Sequence, residues 1–228
     1  MAGYREHISV SGLLGIAYGA TSVFFADFTP VQGALAGCLT WLAGMLPDLD
    51  SSSGRPIREL FDLTAAMAPL VMMQHLLNWA DNTEEALFAA IALYVAIRYG
   101  AAAVMRRVAV HRGMFHSIPA MLIASELVFL GYESDSLAVR CLMAGGTTIG
   151  FLSHLVLDEM YAVSWGGVIL KLNRAAGSAV KLVGGSLLWN LITYSLLAVL
   201  TYAVIIEIDL LENPTHRRWS IFTSGFGI

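Results

Sequence analysis

The sequence predicts an all-α protein, a polytopic transmembrane bundle of about seven helices with a metal site at one membrane interface. Residues 1–228 read as one integral-membrane domain. Three observations carry this expectation. Of the 228 residues, 57% are hydrophobic and 13% charged, with a mean hydropathy of +0.68. Soluble domains are about a quarter charged, so this charge density cannot cover a surface facing water. Uncharged stretches recur at close to the roughly 20 residues that cross a bilayer as helix. Finally, His and Asp residues, costly beside lipid, collect at the ends of those stretches.

The same arithmetic removes several function classes. A formal charge of −4 with scattered basic residues does not suit nucleic acid, and none is expected as a partner. Two cysteines cannot build a disulfide scaffold. Cys38 and Cys141 sit in or beside apolar runs and read as small packing residues.

Taken in order, segments 8–26 and 28–46 contain no charged residue. The first reads as a spanning helix rather than a cleaved leader, since no convincing small-residue cleavage site follows it. Asp27, Phe28, Thr29 and Pro30 form a tight turn between the two. Further spans are expected at about 63–80, 85–105, 116–132, 141–158 and 186–206. Segment 63–80 is crowded by Asp62, Pro69 and His75, and a re-entrant or interfacial helix is its alternative. Gly12, Gly15 and Gly19, with Gly33 and Gly37, suit close helix contact. Residues 165–185 form the longest stretch outside the spans and should cover one face of the bundle.

Alternating the segments puts Arg5, Arg55, Arg58, Arg106, Arg107, Arg112, Lys171, Arg174 and Lys181 on one side. Only Arg140, Arg217 and Arg218 fall on the other. The positive-inside rule makes the first side cytoplasmic in a plasma (inner) membrane.

On that side, four polar clusters reach one depth. His7 opens the first helix. Leu46-Pro47-Asp48-Leu49-Asp50 closes the second. His111-Arg112-Gly113-Met114-Phe115-His116-Ser117 opens the fifth, and Ser153-His154-Leu155-Val156-Leu157-Asp158 closes the sixth. His154 and Asp158, four apart, share one helix face. Pro47 disfavours helix at Leu46, so Asp48 and Asp50 can converge from an irregular turn. Gly113 lets the backbone turn so that His111 and His116 point one way. Imidazole and carboxylate are metal-ligand chemistry, and the expected ligands are His7, Asp48, Asp50, His111, His116, His154 and Asp158. Tetrahedral zinc takes four ligands. Seven donors therefore suit one or two divalent ions, zinc first, with any remaining carboxylate serving as second-layer support or base. Taken one at a time, such a group is usually a helix cap, a water-exposed helix end or a snorkelling side chain. No His-Glu-x-x-His helix is present, which excludes the common metalloprotease pattern.

These residues resemble the YdjM-like family of bacterial inner-membrane proteins, described as metal-dependent hydrolases. The resemblance runs from His7 through the Pro-Asp-x-Asp piece, the His-Arg-Gly-x-x-His-Ser string and the Ser-His-x-x-x-Asp string. It implies that the seven ligands named above carry the family's metal and catalytic roles. The chain departs from the pattern at Ser51 and Ser52, where the family often has His-Pro. It departs again at Phe115, usually Thr, and around residues 161–164, where Thr-Pro often follows the last aspartate.

The expected function is hydrolysis of a phosphoester or other ester of a lipid or lipid-linked compound by a metal-activated water. Asp50 or Asp158 would take the proton, and Arg112 would fork onto an anionic oxygen pair. The expected partners are the lipid bilayer and a membrane-resident anionic substrate. A metal-stabilised scaffold or regulatory binding protein is the alternative. A transporter would place polar groups near the midplane. Only Arg98, Glu126 and His75 lie away from the span ends, and Arg98 and Glu126 can face each other as an ion pair.

Overall fold

A computed structural model of the chain describes residues 3–50, 55–101, 103, 114–166, 169–172 and 181–212. Within these the helical class holds. Eight α-helices follow one another: α1 (Tyr4–Phe25), α2 (Pro30–Ala43), α3 (Arg55–Val71), α4 (Met73–Trp79), α5 (Thr83–Val95), α6 (Ile118–Gly131), α7 (Leu137–Ala162) and α8 (Leu187–Glu212). A 3₁₀ turn, Leu46–Asp50, follows α2, and a π turn, Ala96–Ala101, ends α5. One short antiparallel hairpin, β1 (Val163–Gly166) with β2 (Ile169–Leu172), leaves α7, pairing Val163 with Leu172 and Gly166 with Ile169.

Three of the described helices, Tyr4–Phe25, Leu137–Ala162 and Leu187–Leu211, are long and apolar enough to cross a membrane. The other expected spans are shorter helices. Segment 63–80 is two helices, α3 and α4, meeting at Met72. Pro69 lies inside α3 and has no N–H for the helix ladder, which weakens the stretch just ahead of that break.

The α1–α2 turn forms as its sequence suggests. Asp27 takes a left-handed conformation (φ 57°), which Asp tolerates better than most residues. Thr29 and Gln32 then form a reciprocal capping box, with Pro30 in the first helical position.

Small residues set how closely the helices approach. A Cβ on Gly15 would strike the carbonyl oxygen of Gly37, and one on Gly150 would strike that of Thr40. The backbone of α2 is therefore held against α1 on one flank and α7 on the other. The core follows this contact. Ala36, Leu39, Val139, Leu142 and Met143 form one buried cluster, and Met121, Phe151 and Leu155 form another between α6 and α7. A side-chain donor also ties α1 to α7, where Tyr18 Oη donates to the Leu142 carbonyl at 3.0 Å.

One expected ion pair is corrected. Arg98 pairs with Asp62 of α3 rather than with Glu126, because α5 packs on α3 and α4. Glu126 instead accepts from Thr201 Oγ1 of α8 at 2.7 Å. His75 sits near the C-terminal end of α6, donating from Nε2 to the Leu130 carbonyl at 2.9 Å with Nδ1 3.1 Å from Glu133. Arg140 lies at the end opposite the site, as the count above has it, and is buried. It reaches Glu207 of α8 at 2.9 Å and donates to the Ser134 carbonyl at 2.7 Å.

Helix directions decide where the expected ligands fall. α1 and α2 are antiparallel, with Gly15 against Gly37 and Gly19 against Gly33. α7 runs alongside α2 in the same direction, with Gly146 by Ala36 and Gly150 by Thr40. α6 opposes α7, since Ser125 meets Thr148 and Met121 packs against Phe151 and Leu155. The start of α1, the end of α2, the start of α6 and the end of α7 therefore share one end of the bundle.

Because backbone oxygen cannot retreat from an added methyl, Gly150→Ala should destabilise the protein by about 1–3 kcal/mol. Thermal unfolding in detergent would show a Tm lower by about 2–10 °C. Gly185→Ala, whose Cβ would meet open space, should leave Tm unchanged. Equal Tm values for both variants would contradict the packing account.

Candidate metal centre

Each side chain at this end is presented by a local structural device. His7 lies in the second turn of α1 and is 1% exposed. Asp48 sits on the 3₁₀ turn Leu46–Asp50, its N–H donating to the Met45 carbonyl at 3.1 Å. Ser117 caps α6, its Oγ accepting from Ala120 N–H at 3.3 Å and donating to the Met114 carbonyl at 2.5 Å. His116 is thereby held just outside that helix. His154 and Asp158, one turn apart on α7, are both buried.

The distances among these groups are informative. His154 Nε2 lies 3.7 Å from Asp48 Oδ1 and 3.8 Å from Asp158 Oδ2. His116 Nε2 lies 3.9 Å and 3.8 Å from the same two oxygens. The four atoms form a ring of alternating nitrogen and oxygen whose edges are all too long for hydrogen bonds. Four donors about 2.1 Å from a tetrahedral ion sit about 3.4 Å apart, close to these edges.

His7 adds a second layer. Its Nε2 is 3.2 Å from Asp158 Oδ1, so one carboxylate turns one oxygen to His7 and the other to the ring of four. The imidazoles of His7 and His154 stack with centroids 3.7 Å apart and planes 10° from parallel. His116 meets His154 edge-on, at 5.3 Å and 63°.

Tautomers supply a test of fit. His154 Nδ1 is 2.8 Å from the Gly44 carbonyl, and a carbonyl only accepts, so Nδ1 carries the proton. In the neutral ring Nε2 is then a bare lone pair. It is buried without a hydrogen-bond partner, facing two carboxylate oxygens. A buried imidazole lone pair left facing carboxylate oxygens with no proton or cation between them is costly. A divalent cation would satisfy the lone pair and the facing oxygens together, and His154 already has the second hydrogen bond that metal-binding histidines characteristically make. His7 Nδ1 is likewise buried without a hydrogen-bond partner. Two groups of three, His7 with His154 and Asp158, and Asp48 with His116 and His154, each offer ligand atoms within 4.8 Å of one another.

Five of the expected ligands, His7, Asp48, His116, His154 and Asp158, are thus brought together. His111, Arg112 and the side chain of Asp50 lie outside the described residues, as do the side chains of Arg55 and Arg58. One participant escaped the sequence reading. Gly44 acts through its backbone carbonyl, which leaves no chemical signature in the sequence.

Exposure is uneven around the site. His7, His154 and Asp158 are closed off, whereas the side chains of Asp48 and His116 are 29% and 14% exposed. At the start of α6, the backbone of Lys181 pairs with Ser117, its carbonyl accepting from Ile118 N–H at 3.2 Å. Of the stretch expected to cover one face, Lys181 therefore lies beside this end of the bundle.

Comparison with known proteins adds one finding. No curated protein and no solved structure matches the chain. The family model described as YdjM inner membrane protein matches residues 1–170, a span that contains every residue of the site. The chain belongs to the YdjM inner membrane protein family.

Proposed function

We propose that the chain is a membrane-embedded metal-dependent hydrolase acting on a phosphoester or other ester of a lipid or lipid-linked substrate. The observation that carries this reading is the partnerless Nε2 of His154 facing Asp48 and Asp158. In it, His116, His154, Asp48 and Asp158 hold a divalent ion, zinc by donor chemistry. Such an ion supplies Lewis acidity and brings the pKa of a water it binds down to about 7.

The chain's own residues do the rest. Gly44 fixes the His154 tautomer, and His7 orients Asp158 through Oδ1. Asp158, or Asp50 on the same turn as Asp48, accepts a proton from the attacking water. Arg112, between His111 and His116 in sequence, grips an anionic oxygen pair of the substrate. The partly exposed Asp48 and His116 mark the side from which substrate enters.

Stacking bears on the number of ions. Parallel rings 3.7 Å apart send their in-plane lone pairs along separate lines, so His7 and His154 do not share one ion. His7 and Asp158 would then either form a proton-handling pair beside a single ion or together hold a second one. Paired catalytic ions sit about 3.5–4 Å apart, which matches the ring spacing.

A metal-stabilised scaffold is the second reading, favoured by the near-complete burial of His7, His154 and Asp158. The open flank at Asp48 and His116 favours catalysis. To separate the two, full-length protein in lipid nanodiscs is given a panel of phospholipids and lipid-linked phosphates, and phosphate or headgroup release is followed. An enzyme loses turnover on chelation while keeping most of its thermal stability. His154→Ala and Asp48→Ala should drop metal content below about a tenth of the parent and abolish release, with helices intact. Full metal content in both variants, or collapse of Tm on chelation with no hydrolysis across the panel, would overturn the proposal.

The excess of Lys and Arg on the site's side orients it to the cytoplasm in this reading. Single cysteines placed at Ser52 and at Asp81 check it with impermeant reagents. Cysteine at Ser52 should react only after the membrane is opened and cysteine at Asp81 from outside; the reverse pattern would invert the orientation.

A further inference from the structure

Gly44 lies where three ligand-bearing elements meet, between the end of α2 and the 3₁₀ turn that carries Asp48. A Cβ at this position would collide with Ser11 Cβ of α1, approach Ser11 Oγ to 2.7 Å, and come within 3.3 Å of the Gly150 carbonyl of α7. Ser11 is one turn from His7, and its hydroxyl donates to the His7 carbonyl at 2.7 Å. Gly150 is one turn from His154. The Gly44 carbonyl itself takes the proton-bearing Nδ1 of His154 at 2.8 Å.

We infer that Gly44 is a positioning residue for the metal centre: its missing side chain lets α1 and α7 close to the distance at which His7 and His154 stack, and its carbonyl fixes the His154 tautomer that leaves Nε2 as a ligand. This rests on the metal reading above for its binding consequence, but the tautomer does not. A backbone acceptor opposite a metal-binding imidazole sets ring orientation and basicity, and loss of such a partner typically weakens metal binding about 10–100-fold. The cause of the loss at Gly44 is steric and local, since Ser11 supplies the colliding atoms. Removing those atoms should therefore undo the damage.

The experiment compares four full-length proteins in detergent: parent, Gly44→Ala, Ser11→Gly, and the double variant Ser11→Gly with Gly44→Ala. Zinc affinity is measured by chelator competition, and reconstitution with cobalt gives a visible spectrum that reports ligand geometry. Helix content by circular dichroism and the open-space variant Gly185→Ala serve as controls. Gly44→Ala should bind zinc about 10–100-fold more weakly with an altered cobalt spectrum, and the double variant should return to the affinity and spectrum of Ser11→Gly. Should Gly44→Ala fail to fold, the double variant still reports, because it must fold and bind. Parent-like affinity and spectrum in Gly44→Ala, or a double variant no better than the single one, would overturn the inference. Nitrogen NMR of His154 in metal-free parent gives a separate readout. A proton on Nδ1 and none on Nε2 is expected, and the opposite tautomer refutes the role of the carbonyl. If parent binds no metal while His154 holds the expected tautomer, the hydrolase reading has failed and the positioning by Gly44 has not.

Discussion

A buried imidazole lone pair aimed at two carboxylate oxygens is the constraint on which the rest of this structure turns. His154 spends its only proton-bearing nitrogen on the Gly44 carbonyl, so Nε2 has nothing to give Asp48 or Asp158. Acceptors do not attract acceptors, and in a low-dielectric interior their mutual repulsion is not screened by water. A cation lying among the groups would remove that repulsion locally. The alternating ring of nitrogen and oxygen, with edges of 3.7–3.9 Å, has dimensions suited to one.

Bringing these groups together requires backbones to approach more closely than ordinary side chains permit. α2 is the central member, with glycines of α1 on one flank and of α7 on the other. In lipid the hydrophobic effect does not draw helices together, so close van der Waals packing through small residues takes its place. The opposite end of the bundle has its own polar ties. Arg140 joins α7 to α8 through Glu207, and His75 links α4 to α6. Polar groups at that end are spent on one another, while those at the ligand end converge on a common point.

Much of this was legible in the chain. Uncharged stretches located the helical segments, and simple alternation brought His7, Asp48, His116 and His154 to one end. That alternation holds in the structure because short turns, such as the one at Asp27, force neighbouring segments antiparallel. The i, i+4 spacing of His154 and Asp158 likewise survived folding, since helix geometry is local. What could not be read depends on tertiary contact. The partner of Arg98 follows from which helix α5 packs against, and Asp62 is not marked out from Glu126 by any local pattern. The break at Met72 was only hinted at by Pro69. The role of Gly44 resides in a carbonyl that every residue possesses, and only the crowding of Ser11 and Gly150 around it singles that carbonyl out.

The most direct measurement is a crystal structure of the metal-loaded protein with anomalous data collected on either side of the zinc edge. An anomalous peak bounded by Nε2 of His116 and His154 and by carboxylate oxygens of Asp48 and Asp158 is the predicted result. A second peak between His7 and Asp158 would establish the two-ion form, and its absence the single ion with a His7–Asp158 pair. Zinc found elsewhere in the chain, with His154 Nε2 hydrogen-bonded to a neighbour instead, would contradict the account.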